Sequence, residues 1–282
     1  MNIAIDKAAN NQTAAARTIQ VRRMEFNFED INKQNWFRDN PILTAFITVL
    51  SATFPPGEQM FIDSVRRHKD FVKDPDRLKE VTDFIRQEAA HTHHHRLLND
   101  QLFKVGWRVD AVEERVANAI KKHNTRFRPI TLLAGTVCLE HITAIIADWI
   151  LNNTEVFENV SPSFVELMQW HALEEIEHKS VAFDVYMDAG GDRKSLRKAM
   201  RLVGIGFPLL CTIRTVYLLA KSRQMPSWKH FKEAYQVFFN KKNGFVTCVY
   251  RDFKLFYQED FHPDKHDQVD LMMEWKKLII AK

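Results

Sequence analysis

The sequence contains the pattern Glu-x-x-His twice, and an isolated Glu precedes each copy. In chain order the six residues are Glu58, then Glu88 and His91, then Glu140, then Glu175 and His178. Residues three apart on an α-helix point to nearly the same side, so each Glu-x-x-His can direct both side chains at one point. This order of residues is what a four-helix bundle needs to hold two metal ions in its core. The sequence therefore predicts an all-α fold with a dinuclear metal site in its interior.

The separations along the chain agree with such a bundle. Glu58 and Glu88 are 30 residues apart, and Glu140 and Glu175 are 35 apart, which suits pairs of antiparallel helices joined by short loops. The 52 residues between Glu88 and Glu140 leave room for a longer crossover connection. The alternative is that the acids lie on the surface and that the histidines are scattered.

Two more histidines share the helix faces of the pattern. His171 precedes Glu175 by four residues, and His95 follows His91 by four. Each therefore returns to the same face after about one turn. We predict that His171 is a further metal ligand and that His95 hydrogen-bonds a ligand, although either histidine can fill either role. Glu174 is another candidate for hydrogen-bonding a ligand.

The expected ligand set determines which metals suit the site. Four carboxylates, two or three imidazoles and no thiolate suit iron or manganese. The carboxylates also offset the charge of two divalent cations, whereas the same cluster without metal would be costly to bury. Glu140 fits this interpretation because it lies among Leu, Ala, Val, Cys and Ile. We expect two iron ions as the cofactor, with a manganese–iron pair as the alternative, and we assign no separate catalytic residue.

Several stretches resemble a bacterial family described as predicted metal-dependent hydrolases, over roughly residues 20–260. These stretches are FPPGEQMFIDSVR, FIRQEAAHTHHHRLLN, CLEHITAIIADWIL and WHALEEIEHKSVAFDVY. The chain also resembles ferritin-like di-iron carboxylate proteins. Its His-x-x-x-Glu-x-x-His segment is similar to the ligand helix of the p-aminobenzoate N-oxygenases, which use a di-iron site with three His ligands.

These resemblances imply a ferritin-like four-helix bundle with additional C-terminal helices. The metal ligands that they imply are Glu58, Glu88, His91, Glu140, His171, Glu175 and His178. One of these positions departs from the ferritin-like arrangement, in which the first ligand normally lies in the middle of a helix. Glu58 follows Pro55 and Pro56, and we expect these prolines to kink or break the chain.

The chain is expected to have three parts. Residues 1–22 are predicted to form a flexible tail, residues 23–190 the metal-binding bundle, and residues 191–282 additional helices packed on it. The last ligand helix is expected to run to about Asp188, where Ala-Gly-Gly follows.

Residues 202–220 are unusually apolar. They contain one charge, Arg214, and one proline, Pro208, and the stretch is nearly as long as a membrane span. Both of these residues argue against a full span. We expect a helix buried against the bundle or in a homodimer interface, with peripheral membrane contact as the next alternative.

Charge and cysteine content suggest the compartment and the partners. The net charge is +4, and the sequence has no recognisable nucleic-acid-binding module, so we expect no nucleic-acid partner. The three cysteines are far apart, as expected of free thiols in a reducing compartment. The first 20 residues are polar and lack an apolar signal core. We therefore expect a cytoplasmic protein, with membrane association as an addition to that prediction.

By resemblance, the chain is expected to be a di-iron oxidase or oxygenase that uses O2 and takes electrons from a redox partner. A small or lipid-like apolar substrate is expected, because the residues around the motifs are Phe, Ile, Leu and Trp. Candidate pocket walls are Phe54, Phe61, Phe84, Trp149, Trp170 and Phe183. Two alternatives stay open: a hydrolase with a dinuclear metal site, and an iron-binding bundle without a substrate.

Overall fold

The computed structural model describes residues 18–280, so residues 1–17 of the predicted tail lie outside the described residues. The described residues form α-helices and short 3-10 turns joined by loops, and no β-strand occurs among them. The predicted all-α fold is therefore confirmed.

The helices begin and end at residues that physical rules favour. In chain order they are α1 Pro41–His68, α2 Pro75–Lys104, α3 Val109–Arg126, α4 Pro129–Asn152, α5 Pro162–His178, α6 Val181–Asp188, α7 Arg193–Lys221, α8 Trp228–Phe239, α9 Phe245–Phe253 and α10 Val269–Ile280. Four of them, α1, α2, α4 and α5, start with proline, whose missing N–H is not needed at that position. Asp74 also caps α2, accepting hydrogen bonds from two backbone N–H groups.

Four of these helices carry the predicted ligands and pack as two pairs. The α1 helix lies against α2, and α4 lies against α5, while α1–α4 and α2–α5 contacts join the pairs. Between α1 and α2, Ser51 meets Asn99 and Glu58 meets Thr92, so the two helices run antiparallel. The α3 helix lies in the crossover between the pairs. The ferritin-like assignment of this bundle stays a prediction.

Of the kink or break predicted at Pro55 and Pro56, the break is wrong, because α1 continues through both residues; the kink stays a prediction. Proline at position 55 removes the N–H that would bond the carbonyl of Ser51. Asn99 of α2 takes its place, donating from Nδ2 to the Ser51 carbonyl at 3.3 Å, while the Ser51 hydroxyl donates to Asn99 Oδ1 at 2.7 Å. Glu58 consequently lies in the middle of a helix.

The last ligand helix is interrupted where the sequence suggested one continuous helix. The α5 helix ends at His178, and a short turn precedes α6. At this turn the buried Lys179 donates from Nζ to the carbonyl of His266 and to Gln268 Oε1, both at 2.7 Å. The C-terminal segment is thus attached to the bundle just after a predicted ligand.

The described segment before α1 has little regular structure, but it contacts the bundle closely. Its residues Phe28, Ile31, Trp36 and Phe37 are buried in the apolar core. Arg22, which falls in the part predicted to be a flexible tail, is also buried and pairs with two acids of α5.

Two helices are long and apolar enough to span a membrane, and they differ in burial. In α4 the most apolar window is 67% buried within the structure, as expected of a core helix, whereas in α7 it is only 17% buried. The expectation that residues 202–220 are buried against the bundle is therefore wrong for most of that stretch. One narrow face of α7, which includes Met200, Cys211 and Leu218, does pack inward.

We predict that Asn99→Ala lowers the free energy of unfolding by about 1–3 kcal/mol, because it leaves the buried Ser51 carbonyl without its donor. Chemical denaturation monitored by circular dichroism measures this loss. Asn118→Ala, at an exposed position in the middle of α3, is the matched control and should change stability by less than about 0.5 kcal/mol. Equal effects of the two substitutions would contradict this role of Asn99.

Candidate metal centre

The structure brings all the predicted ligands into the interior of the bundle. They are Glu58 on α1, Glu88 and His91 on α2, Glu140 on α4, and His171, Glu175 and His178 on α5, and each of them is buried. The antiparallel packing of α2 and α5 places the two Glu-x-x-His patterns opposite each other. Their identity as ligands stays a prediction.

One half of the centre surrounds His178. Its Nε2 atom lies 3.2 Å from Glu88 Oε1, 3.5 Å from Glu140 Oε2 and 3.7 Å from Glu175 Oε2. One imidazole nitrogen therefore faces carboxylates from three helices. This is a mixed nitrogen and oxygen donor set of the kind that iron and manganese prefer.

The other half of the centre surrounds His171 and His91, whose rings stack with centroids 4.0 Å apart. His171 Nε2 lies 3.0 Å from Glu175 Oε1 and 3.8 Å from Glu58 Oε1. His91 Nδ1 also lies 3.8 Å from Glu175 Oε1. Glu175 thus directs one oxygen at each half of the centre, so it could help to hold a metal ion in either half.

Several overlapping groups of these residues have donor atoms within 4.8 Å of one another. The groups are Glu58 with His95 and His171, His91 with His171 and Glu175, Glu58 with Glu88 and His91, and Glu88 with Glu175 and His178. Glu140 belongs to none of them, and its contact with the centre is the one with His178.

Buried polar atoms without a hydrogen bond show that these residues fit metal ions. In the described part of the chain, eight such atoms belong to the predicted ligands: Glu58 Oε1, both oxygens of Glu88, both oxygens of Glu140, Glu175 Oε2, His91 Nδ1 and His178 Nε2. A buried polar atom without a partner is costly, and a buried charge is more so. Metal coordination would satisfy all eight atoms at once.

Electrostatics lead to the same conclusion. Burial, reinforced by neighbouring carboxylates, raises the pKa of Glu88 and Glu140 well above the ordinary range, and burial also raises that of Glu58. Burial acts in the same direction on Glu175, but His171 and His178 outweigh it and hold its pKa well below the ordinary value. The core therefore disfavours the ionised form of three acids unless positive charge is supplied.

In each histidine of the centre, the ring nitrogen that points away from the predicted ligand carboxylates meets a side chain of the opposite helix, α2 or α5. His178 Nδ1 meets Gln87 Oε1 at 3.0 Å, and His91 Nε2 meets Glu174 Oε2 at 3.1 Å. A partner on the outer nitrogen fixes the ring and leaves the inner nitrogen free to bind metal.

His171 is held in the same way, although its outer partner is another histidine. Its Nδ1 meets His95 Nε2 at 2.8 Å, and His95 Nδ1 meets the Ser51 hydroxyl at 3.0 Å. Both ring nitrogens of His95 thus have a partner. Because His95 also belongs to a group that could hold a metal ion, with Glu58 and His171, its role as a residue that hydrogen-bonds a ligand stays a prediction.

Sequence reasoning missed Gln87, although a signal for it was present. Gln87 immediately precedes Glu88, just as Glu174 immediately precedes Glu175. Both residues reach across the α2–α5 interface to the histidine of the other pattern. The repeated unit is therefore one residue longer than Glu-x-x-His.

Glu174 is part of a buried charge network that sequence reasoning also missed. Trp170 Nε1 donates to Glu174 Oε1 at 2.9 Å, and Arg22 donates to Glu174 and to Glu177. Burial raises the pKa of Glu174 to about 8, although Arg22 opposes the shift. Lys276 of α10 also pairs with Glu177 at 2.9 Å, so both ends of the described chain converge behind His91.

A large apolar pocket adjoins the centre. It encloses about 860 Å³, part of it open to solvent, and its polar lining is limited to Thr143, His171 and Glu175. The predicted pocket residues Phe54 and Trp149 line it, whereas Trp170 packs on His91 and Phe84 packs on His178. Two further predicted residues, Phe61 and Phe183, are buried in a separate cluster and do not line this pocket.

We predict that Glu140→Met stabilises the metal-free protein by about 1–3 kcal/mol while it weakens metal binding, because it removes a buried acid with two unpartnered oxygens. Thermal unfolding with and without added Fe(II) or Mn(II) under anaerobic conditions measures both effects. Glu114→Met, at an exposed position of α3, is the control and should leave the metal-dependent shift intact. A less stable metal-free Glu140→Met protein with an unchanged metal shift would contradict the prediction.

We predict that Gln87→Met lowers metal affinity by about 10–100-fold although it removes no ligand, because His178 loses the partner that orients its ring. Competition with a chromophoric chelator measures the affinity. Arg86→Met changes the exposed neighbouring position and should have no effect. If both variants bind metal like the wild type, Gln87 has no role in orienting His178.

Comparison with known proteins gave one family. The model for the family described as predicted metal-dependent hydrolase matches residues 20–267, which includes every residue of the centre. A search of curated proteins and a search of solved structures each found no match.

Proposed function

The chain belongs to the family of predicted metal-dependent hydrolases, and we propose that it is an O2-dependent di-iron oxygenase acting on an apolar substrate. The observation that carries this proposal is the junction of the apolar pocket with the metal centre. His171 and Glu175 are predicted ligands and at the same time two of the three polar residues that line the pocket, the third being Thr143. A molecule in the pocket would therefore contact mainly apolar side chains and the predicted ligands.

The lining of the pocket indicates the substrate class. Phe54, which packs against His171, lines it together with Met168, Ala172 and Phe, Leu, Ile, Val and Trp side chains. Such a wall binds hydrocarbon by burying its surface. It offers no donor or acceptor series that would bind a phosphate, a peptide or a sugar.

The described side chains perform three tasks in this proposal. The carboxylates and imidazoles of the centre hold two iron ions, which would supply O2 activation when bound. Phe54 packs against His171 and His95 and keeps water away from these two rings. Gln87, Glu174 and His95 hold the ligand rings in place, so that the site is formed before substrate arrives.

The overall reaction requires a source of electrons. For hydroxylation of a C–H bond, one oxygen atom of O2 enters the substrate and the other leaves as water. The substrate contributes two electrons, and an external donor contributes two more together with two protons. A redox partner that delivers two electrons is therefore part of the proposal.

The first test measures metal content and the response to O2. Protein from iron-rich medium is assayed for iron, manganese and zinc, reduced without air, and then mixed with O2 while the visible spectrum is recorded. We predict about two irons per chain and a transient absorption, both lost in Glu140→Ala. Zinc or manganese without any O2 response would overturn the proposal.

A second arm separates an oxygenase from an iron-binding bundle without a substrate. Medium- and long-chain hydrocarbons should speed O2 consumption by the reduced protein, and Ile150→Phe, which narrows the pocket, should reduce that effect without changing the iron content. Leu139→Phe, on the same helix but outside the pocket, is the control. An O2 response that no apolar additive alters would favour the bundle without a substrate.

Hydrolysis is the second candidate function, and the family description favours it. Two metal ions in this centre would polarise an ester and activate water. A hydrolase would run with zinc or manganese in the absence of O2. Release of product from aliphatic esters under argon by the manganese-loaded protein would therefore move hydrolysis to first place.

A further inference from the structure

Exposed apolar side chains and an excess of positive charge occur together on three helices, α7, α8 and α9. We call the exposed residues of these helices, with Lys241 and Lys242 between α8 and α9, the apolar–basic face. Its exposed apolar residues include Leu202, Ile205, Leu209, Ile213 and Val216 on α7, Trp228, Phe231, Tyr235 and Phe239 on α8, and Val246 and Tyr250 on α9. Exposed apolar area of this extent marks an interaction site rather than ordinary surface.

The spacing of these residues shows that they form stripes. On α7 they recur at intervals of three or four residues, and those on α8 do the same, so each set lies along one side of its helix. Ile205 is 70% exposed and Trp228 is 84% exposed. The opposite side of α7 packs against α1 and α4. The helix therefore lies along the surface of the bundle.

The charge of this region differs from that of the rest of the chain. Residues 193–257 contain 14 Lys and Arg but only two acidic residues, Glu233 and Asp252. This segment is therefore much more positive than the whole chain, whose net charge is only +4, so the remainder of the chain has a negative net charge. Eleven of the basic side chains are exposed, among them Lys198, Lys241 and Lys242.

We propose that the apolar–basic face binds an anionic lipid bilayer and that the apolar substrate enters the pocket from it. Apolar stripes flanked by Lys and Arg are what interfacial helices use to lie on anionic lipid. A second copy of the chain would be a poorer occupant, because a twofold contact would bring two strongly basic surfaces together. The bilayer supplies both the hydrocarbon and the negative charge that this face lacks.

The same helices form part of the pocket wall. Phe207 of α7, Val237 and Phe238 of α8 and Phe245 of α9 line the same pocket as Glu175. A bilayer on the apolar–basic face would thus be separated from the pocket only by these helices. This second half of the inference rests on the proposed function, whereas bilayer binding itself does not.

Flotation with lipid vesicles tests the binding, and metal is not required. Vesicles of phosphatidylcholine alone are compared with vesicles that also contain about 30% phosphatidylglycerol. We predict that the protein floats with the anionic vesicles and not with the neutral ones, and that about 0.5 M salt weakens binding at least tenfold. Absence of flotation, or equal flotation with both vesicles, would overturn the proposal.

Variants separate the apolar contribution from the basic one. The triple variant Ile205→Ser, Leu209→Ser, Ile213→Ser should lose at least tenfold in binding. The double variant Lys241→Gln, Lys242→Gln should bind anionic vesicles about fivefold more weakly for each charge removed.

Matched controls change similar residues outside the face. Phe71→Ser with Phe103→Ser removes exposed aromatic side chains, and Lys121→Gln with Lys122→Gln removes exposed charges of α3. Neither pair should alter flotation. A dimer in analytical ultracentrifugation that the α7 triple variant dissociates, together with absence of flotation, would assign the face to a second copy.

Activity on a bilayer distinguishes failure of this inference from failure of the proposed function. With the active iron-loaded protein, the α7 triple variant should raise KM for a long-chain hydrocarbon dissolved in anionic vesicles and leave kcat unchanged, and it should not affect a short water-soluble analogue. Flotation without O2 consumption would refute the proposed function alone. O2 consumption on the soluble analogue without flotation would refute bilayer binding alone.

Discussion

The interior of this protein depends on a group of acids that the chain alone does not neutralise. Glu58, Glu88, Glu140 and Glu175 come from four different helices, yet they share one desolvated core. Only Glu175 receives enough support from neighbouring imidazoles to lower its pKa. Removing charge from water without a partner is the most expensive event in folding a core. Bound cations would offset that cost, so we expect metal binding and the stability of this core to be coupled.

The interface between α2 and α5 positions the histidine rings of the centre. Three contacts follow one another along it: Gln87 with His178, His91 with Glu174, and His95 with His171. A shift of either helix by one turn would break all three contacts at once, so the register of this pair fixes every ring of the centre. Polar contacts of this kind inside a core add specificity even where they add little net stability.

The sequence was sufficient to predict what depends on local spacing. Three- and four-residue intervals correctly placed Glu88 and His91 on one face, and the same holds for the three predicted ligands of α5. What it could not predict depended on contacts between distant segments. The continuity of α1 through Pro55 requires a donor from Asn99, which lies 44 residues away along the chain. Likewise, no local rule indicates that Arg22 crosses the bundle to reach Glu174.

The apolar run in α7 shows a different limit of sequence reasoning. Hydropathy states how much hydrocarbon surface a helix has, but it does not state what covers that surface. The same composition is buried by protein in α4 and left exposed in α7. The reason is topological: α4 lies between α5 and α7, whereas α7 contacts the bundle on one side only.

This exposure bears on the metal centre as well. A pocket lined by hydrocarbon can be filled from water only by molecules that are scarcely soluble there, so its supply is limited by their concentration in solution. If the helices that line the pocket rest on a bilayer that dissolves such molecules, their local concentration rises. Binding then no longer has to extract the substrate from water. The distribution of charge along the chain fits such an arrangement, because residues 193–257, which carry the exposed apolar stripes, are strongly basic while the rest of the chain is acidic. In our two proposals the apolar pocket and the apolar–basic face are therefore complementary, because both substrate binding and substrate supply would depend on excluding water.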